Sequence, residues 1–236
     1  MKRVWVLAAR ELRVAIDTAQ GAVVAIAFLL ACGFFFGNSL FLMGQAEMRG
    51  FFGVMPLLLM FFVPAMAMRL LADELRGGTF ELLATMPVSS LQLVVGKYLA
   101  LLLQLLLLFA LTLLYPWSLS LLGDPDGGRI AAGYLAVALL SAGYAAVALY
   151  ASSLTRHAMV AYIIGFSLLF GFYLLSQAAL TLPPEVQDWL GMVLPLPHYR
   201  AMLRGVIGLE DAAYFLVMTL LFLALTVFQL ERRRWR

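Results

Sequence analysis

Long apolar runs separated by short polar stretches make up most of this 236-residue chain. Each run is about 20 residues long, enough for an α-helix to cross the roughly 30 Å hydrocarbon core of a bilayer. The runs do not alternate apolar and polar residues, so they do not fit the strands of a membrane β-barrel. The pattern predicts an all-α membrane protein with six transmembrane helices, near Gly21–Met43, Phe51–Leu71, Tyr98–Leu122, Ala131–Leu154, Met159–Leu182 and Tyr214–Leu230.

The first 20 residues follow a different pattern from the spans. Val4, Leu7 and Leu12 fall at helical spacing, while Arg3 and Arg10 lie on another face. This predicts an interfacial helix over residues 1–20 that leads into the first span. A signal peptide is the alternative, but charges separate the basic start from the apolar run, which is also too long.

The polar stretches between the spans differ in length and character. Pro56, Pro64 and Pro116 lie inside predicted spans and predict kinks there. The last loop on the side opposite the termini, residues 183–211, is long but only partly polar. We expect short helices in this loop, resting at the membrane interface.

Residues 72–92 form a charged stretch between the second and third spans. Gly77 and Gly78 can end the helix that continues from the second span. Thr79 can cap a new short helix, Phe80–Met86, which Pro87 then ends. The stretch predicts a short amphipathic helix at the cytoplasmic surface, between spans 2 and 3.

The third span is predicted to begin with its own cap. Ser89 and Gln92 have the spacing of a capping box, which would start the helix that runs through Lys97. The short helix before it can present Phe80 and Leu83 to a partner's groove, with Glu74 and Glu81 at the rim. An equally open interpretation is a surface helix that only spaces the two spans. The whole chain, 1–236, is predicted to be a single transmembrane domain.

Charge places the predicted spans in the membrane. The chain is 64% hydrophobic and 12% charged, far from the composition of a soluble domain. The net charge is +3, and the positively charged residues lie beside the spans, which argues for a topology signal and against nucleic-acid binding. Most Lys and Arg residues fall on the side of the two termini. This bias predicts that both termini and residues 72–92 are cytoplasmic.

No motif for catalysis or for energy conversion is found in the sequence. Gly96-Lys97 resembles the end of a phosphate-binding loop, but Leu91 and Tyr98 replace the required residues. His157 and His198 lie outside the spans, and no Asp or Glu lies inside one, which argues against intramembrane hydrolysis and ion-coupled transport. We therefore expect a non-enzymatic chain with no bound cofactor or metal, driven by energy from another protein.

These features, in this order, resemble the membrane subunits of ABC-2 type ABC transporters, as in the type V exporters. The resemblance lies in the six spans, the N-terminal helix and a set of short motifs: Glu74, Gly78-Thr79, Glu81-Leu82, Pro87 and Gly96-Lys97. Further stretches are similar to the branch of gliding-motility-associated ABC transporter permeases: Phe62–Leu70, Tyr150–Thr155, Arg204–Ile207 and Glu231–Trp235.

The resemblance implies how the chain would work and with whom. It implies a permease in the bacterial inner membrane that pairs with a second permease, identical or related, above a dimer of cytoplasmic ABC ATPases that bind ATP and Mg²⁺. An auxiliary membrane protein with a large outer domain is a further implied partner. ATPase coupling is carried over to Glu74, Gly78, Thr79, Phe80, Glu81, Leu82, Leu83 and Pro87, and a role at the cytoplasmic interface to Arg10 and Lys97.

Three functions agree with the sequence. The first is a permease that exports or extracts a lipophilic or envelope-associated substrate. The second is a mechanotransmitter, which passes ATP-driven motion to an outer partner without moving a solute. A passive membrane anchor or scaffold is the third; it explains the spans but not the ordered motifs between spans 2 and 3.

Overall fold

The structure is a computed structural model that describes residues 2–43, 47–77, 89–121, 123, 125–205 and 208–234. Every regular element in these ranges is an α-helix. The helices are α1 (Lys2–Asp17), α2 (Ala19–Met43), α3 (Arg49–Arg76), α4 (Ser90–Thr112), α5 (Leu114–Ser120), α6 (Gly127–Leu154), α7 (Ala158–Ala179), α8 (Pro184–Val193), α9 (Pro195–Met202) and α10 (Leu209–Arg234).

The six predicted spans are confirmed. Among the described residues, six helical segments are long and apolar enough to cross a membrane: α2, α3, α4 together with α5, α6, α7 and α10. Their limits differ from the prediction by several residues, most of all in the third, which begins at Ser90. This span is also broken at Leu113, three residues before Pro116, because a proline cannot donate to the carbonyl one turn earlier.

Helix α6 forms the centre of the bundle. It packs against α3, α4, α7 and α10, and its small residues allow this close packing. A Cβ atom at Gly143 would lie 3.2 Å from the sulfur of Met218, and one at Gly165 on α7 would lie 3.3 Å from Cβ of Pro64. The apolar side chains of α2, α7 and α10 stay largely exposed, as expected of helices that face lipid.

Two prolines inside the spans are each matched by a tyrosine from another part of the chain. The carbonyl of Phe52 has no donor one turn later, because residue 56 is a proline; the hydroxyl of Tyr199 donates to it at 2.6 Å. The carbonyl of Thr112 stands in the same relation to Pro116, and the hydroxyl of Tyr134 donates to it at 2.9 Å. In a bilayer, such freed carbonyls need a partner from within the protein.

The predicted short helices of the last loop are confirmed as α8 and α9. Tyr214 at the start of α10 donates to the carbonyl of Val193 at the end of α8, with an oxygen–oxygen distance of 2.6 Å. His198 on α9 lies 2.8 Å from a carboxylate oxygen of Asp211 on α10. Burial on α9 raises the pKa of Tyr199 well above its ordinary value, so this hydroxyl stays protonated as a donor. These contacts hold the loop against the bundle.

Candidate functional site

An ionic cluster joins three helices at the end of the bundle that holds the chain termini. The ammonium Nζ of Lys97 on α4 lies 2.7 Å from a carboxylate oxygen of Glu74 on α3 and 3.2 Å from one of Glu11 on α1. The Lys97 side chain is 3% exposed, and those of Glu11 and Glu74 are 18% and 22% exposed. We call Glu11, Glu74 and Lys97 the ionic joint.

The local sequence explains how Lys97 reaches this position. The side chain of Ser89 accepts from the backbone N–H of Gln92 at 3.2 Å, and the Gln92 side chain accepts from the N–H of Ser89 at 3.4 Å. This predicted capping box is confirmed, and it fixes where α4 begins. Lys97 follows two turns later, on the face of α4 that turns toward α1 and α3.

Gly96 is what allows α1 to approach α4. A Cβ atom at this position would lie 3.1 Å from Cβ of Leu7 and 3.5 Å from the carbonyl oxygen of Val4. Because the glycine leaves this space open, α1 lies close enough for Glu11 to reach Lys97. The Gly96-Lys97 pair therefore combines close packing with charge pairing at a single helix contact.

A buried ammonium is stable only where nearby anions replace the lost water. Glu11 and Glu74 supply two carboxylates for one cation, so the ionic joint carries a formal charge of −1. Arg10 and Arg69 lie beside it and line a cavity of about 340 Å³ between α1, α2, α3 and α4, together with Glu11, Glu74 and Lys97. The ionic joint thus forms part of the polar lining of a cavity at the membrane boundary.

A second contact ties the same end of α3 to the central helix. The hydroxyl of Ser152 on α6 donates to the carbonyl of Met68 at 3.0 Å. It also accepts from the backbone N–H groups of Leu71 and Ala72, at 3.1 and 3.2 Å. Ser152 is fully buried, and its hydroxyl enters the hydrogen-bond ladder of α3, a point at which helices bend.

Arg233 on α10 caps the C-terminal end of the central helix, α6. Its guanidinium donates to the carbonyl of Leu154, the last residue of α6, at 2.7 Å. A cation at this position suits the negative end of the helix dipole. The last turns of α3, α6 and α10 and the first turns of α4 therefore meet at one end of the bundle.

The structure places some of the predicted site residues. Glu74 and Lys97 lie together in the ionic joint, and Arg10 is exposed at the cavity beside it. The buried position of Lys97 differs from the surface position that its predicted interface role suggests. The predicted coupling residues Gly78, Thr79, Phe80, Glu81, Leu82, Leu83 and Pro87 lie outside the described residues.

The end of α3 agrees with the expected helix stop. The helix ends at Arg76, and the N–H of Gly77 donates to the carbonyl of Asp73 at 2.9 Å. We call residues 77–89, the part of the predicted stretch 72–92 that connects α3 to α4, the predicted coupling segment; it starts three residues after Glu74. It returns to the described structure at Ser89, two turns before Lys97.

Glu11 is the site residue that sequence reasoning missed. Lys97 lies near the start of a strongly apolar helix, and such a lysine requires an acidic partner. That requirement is a usable signal, but Glu11, Asp73 and Glu74 satisfy it equally well in the sequence. Only the packing of α1 on α4 selects Glu11 as the second partner.

The arrangement is suited to passing on movement. The ionic joint and Ser152 connect both ends of residues 77–89 to α1, α3, α4 and α6 through short polar contacts.

A family model described as ABC-2 family transporter protein matches residues 46–228, well over half of the chain. No curated protein matches the chain. The chain belongs to the ABC-2 family of transporter proteins.

Proposed function

We propose that this chain is the permease subunit of an ABC transporter and that the ionic joint transmits force from a partner ATPase into the membrane helices. Membrane domains of this family are generally non-catalytic and generally pair with a cytoplasmic ABC ATPase. The ATP and Mg²⁺ are held by that partner, which forms a dimer below a pair of permeases.

The observation that carries this proposal is the position of the joint at the root of the coupling segment. Glu74 lies three residues before Gly77, where the segment begins. Lys97 lies eight residues after Ser89, where the segment ends. Because one ammonium binds both Glu74 and Glu11, a push on the segment moves α1 along with α3 and α4.

The contact of Ser152 carries the same movement to the centre of the bundle. Its hydroxyl bonds three backbone groups of α3 within the last three turns before the segment. Helix α6 in turn packs against α7 and α10. The two contacts, with the packing of α6, connect α3, α4, α6, α7 and α10, and the sixth span, α2, packs against α3.

Charge distribution supports an orientation with the joint on the cytoplasmic side. Of the sixteen Lys and Arg residues, twelve lie at the end that holds the termini. The other four are Arg49, Arg129, Arg200 and Arg204. Since Lys and Arg are enriched in cytoplasmic loops, we place both termini in the cytoplasm and the protein in the bacterial inner membrane.

The cargo that we propose is lipophilic or associated with the cell envelope. The exposed apolar faces of α2, α7 and α10 give a lipid-like molecule direct contact with the permease, and a second permease would cover part of them. The motifs shared with the gliding-motility-associated branch favour membership in that branch. Two of them supply Ser152 and Arg233, and both residues make contacts at the joint's end of the bundle.

Charge reversal in the coupling segment tests the proposal. Glu81→Lys should lower ATPase co-purification and permease-dependent ATP hydrolysis several-fold in the purified complex. The matched control is Glu185→Lys, the same change at an exposed acid in the first turn of α8, at the opposite end of the bundle. Equal ATPase binding and hydrolysis in both variants would favour a passive anchor and overturn the proposal.

A further inference from the structure

The end of the bundle opposite the termini holds a second cavity, with an unusual set of side chains. Its volume is about 340 Å³, within the range of roughly 300–1,000 Å³ that is common for small-molecule sites. Three of the four arginines at this end line it: Arg49, Arg129 and Arg204. They come from the start of α3, the start of α6 and the turn after α9.

The positions of these exposed arginines make the cavity electropositive. Arg49 is the first residue of α3 and Arg129 the third of α6, so both lie at positive ends of helix dipoles. On the side opposite the termini, Lys and Arg are also the residues that membrane topology disfavours. Three arginines that line one cavity, two of them at helix N-termini, give it a positive potential that favours a negative ligand.

The acidic residues of the cavity do not neutralise it. Glu47 and Asp126 are the two acids among the described lining residues, against three arginines. Asp126 is already engaged: one carboxylate oxygen accepts from the backbone N–H groups of Gly128 and Arg129, and the other lies 3.2 Å from Nε of Arg129. This arrangement holds the Arg129 side chain in place while the cavity keeps a net positive charge.

Backbone geometry brings Arg204 to the same cavity. Gly205 has a φ of +91°, a backbone conformation that residues with a Cβ atom rarely adopt. A Cβ atom there would lie 3.5 Å from Cγ of Arg129. The glycine thus turns the chain directly after Arg204, beside the side chain of Arg129.

We propose that this cavity binds a phosphate-bearing anion, and that in the membrane its ligand is the headgroup of an anionic phospholipid. The phosphodiester of such a headgroup has two charged oxygens that accept from guanidiniums, and the hydroxyls of a phosphatidylglycerol headgroup are further acceptors for the remaining arginines. The cavity also has apolar walls, formed by Phe52, Ile130 and Leu203, which suit the glycerol and first methylenes of a lipid. Its assignment to the outer leaflet rests on the orientation proposed above; the binding itself does not.

The test uses the full chain, purified in detergent, stripped of lipid and titrated with phosphatidylglycerol under native mass spectrometry. We expect one tightly bound lipid per chain. Arg129→Gln combined with Arg204→Gln should weaken it about a hundredfold, about tenfold for each lost charge-assisted contact. Phosphatidylcholine, which has the same phosphate but no net charge, should bind no more tightly to the wild type than to this double variant.

A matched control and a second variant separate binding from folding. Arg200→Gln changes an arginine at the same end of the bundle that instead donates to Gln177 at 2.8 Å; its lipid affinity should equal that of the wild type. If the double glutamine variant fails to elute as a single species, Arg129→Lys combined with Arg204→Lys keeps the charge and should retain part of the affinity. Equal phosphatidylglycerol binding by wild type and a folded cavity variant, or equal loss in Arg200→Gln, overturns the proposal.

A competition arm identifies the source of the phosphate. For a headgroup site, inorganic phosphate at the lipid's concentration should not displace phosphatidylglycerol, since it makes no contact with the apolar wall. Displacement by inorganic phosphate at that concentration would support the anion site but assign it to a soluble phosphate, and would overturn the lipid assignment. Neither result depends on ATPase coupling, so this test and that of the proposed function can fail independently.

Discussion

Replacing Lys97 by methionine should be among the most damaging single changes at the ionic joint. Methionine keeps most of the side-chain length but removes the cation, so Glu11 and Glu74 are left facing each other. Both carboxylates contact the same ammonium, at 3.2 and 2.7 Å, so their contacting oxygens are at most about 6 Å apart. At an effective dielectric constant of about 20, two unit charges at this distance repel by about 3 kcal/mol.

That value agrees with the cost of about 3–5 kcal/mol for removing one partner of a buried ion pair. For a chain of this size, about 3 kcal/mol corresponds to a fall in melting temperature of about 6–12 °C.

Thermal unfolding with a thiol-reactive dye measures this directly. Cys32 is the only cysteine of the chain and is fully buried, so the dye reacts as the bundle opens. The control is Arg200→Met, which removes an exposed cation whose contact to Gln177, at 2.8 Å, is also exposed. Exposed pairs contribute little, so this variant should melt within about 1 °C of the wild type.

A triple variant isolates the charge effect from side-chain packing. Glu11→Gln and Glu74→Gln, added to Lys97→Met, remove the repulsion and should recover most of the lost melting temperature. The reasoning is refuted if Lys97→Met melts within about 2 °C of the wild type, or if the triple variant melts no higher than Lys97→Met alone.

Two further predictions concern hydrogen bonds that cross the bundle. Ser152→Ala removes a buried hydroxyl that bonds three backbone groups of α3. It should lower the free energy of unfolding by about 1–3 kcal/mol, measured as a lower melting temperature. The control is Ser153→Ala, which changes a neighbouring buried serine that bonds within its own helix and should cost less. Tyr199→Phe leaves the carbonyl of Phe52 without its hydroxyl donor, at a similar cost. Pro56→Ala restores an N–H one turn after that carbonyl, so Tyr199→Phe should cost less in the Pro56→Ala background; additive losses in this double-mutant cycle would contradict the pairing.

The sequence predicts the elements of this fold well because they depend on local rules. Six apolar runs of span length give six helices, and the capping box at Ser89 and Gln92 starts α4 as expected. The helix stop at Gly77 and the short helices in residues 183–211 follow from turn chemistry in the same way. None of these features needs knowledge of which helix lies beside which.

The contacts of the site depend on that knowledge, and the sequence does not contain it in readable form. Glu11 and Lys97 are 86 residues apart, Ser152 and Leu71 are 81 apart, and Tyr199 and Phe52 are 147 apart. Apolar periodicity gives little help, because helix faces that pack on protein and faces that meet lipid are both apolar and differ mainly in their share of small residues. Helix α2 shows this: its sequence is as apolar as that of α3, yet far less of it is buried.

The same limit explains why the Gly96-Lys97 pair has a different meaning in the structure than in the sequence. In the sequence it is a lysine near a membrane boundary, preceded by a small residue. In the structure, the missing side chain of Gly96 sets the distance between α1 and α4, and that distance decides whether Lys97 can bind Glu11 as well as Glu74. A bulky residue at position 96 would therefore break an ion pair without touching a charge, because it would move α1 out of reach. Under the proposed function, this single helix contact would decide whether a push on the coupling segment reaches α1.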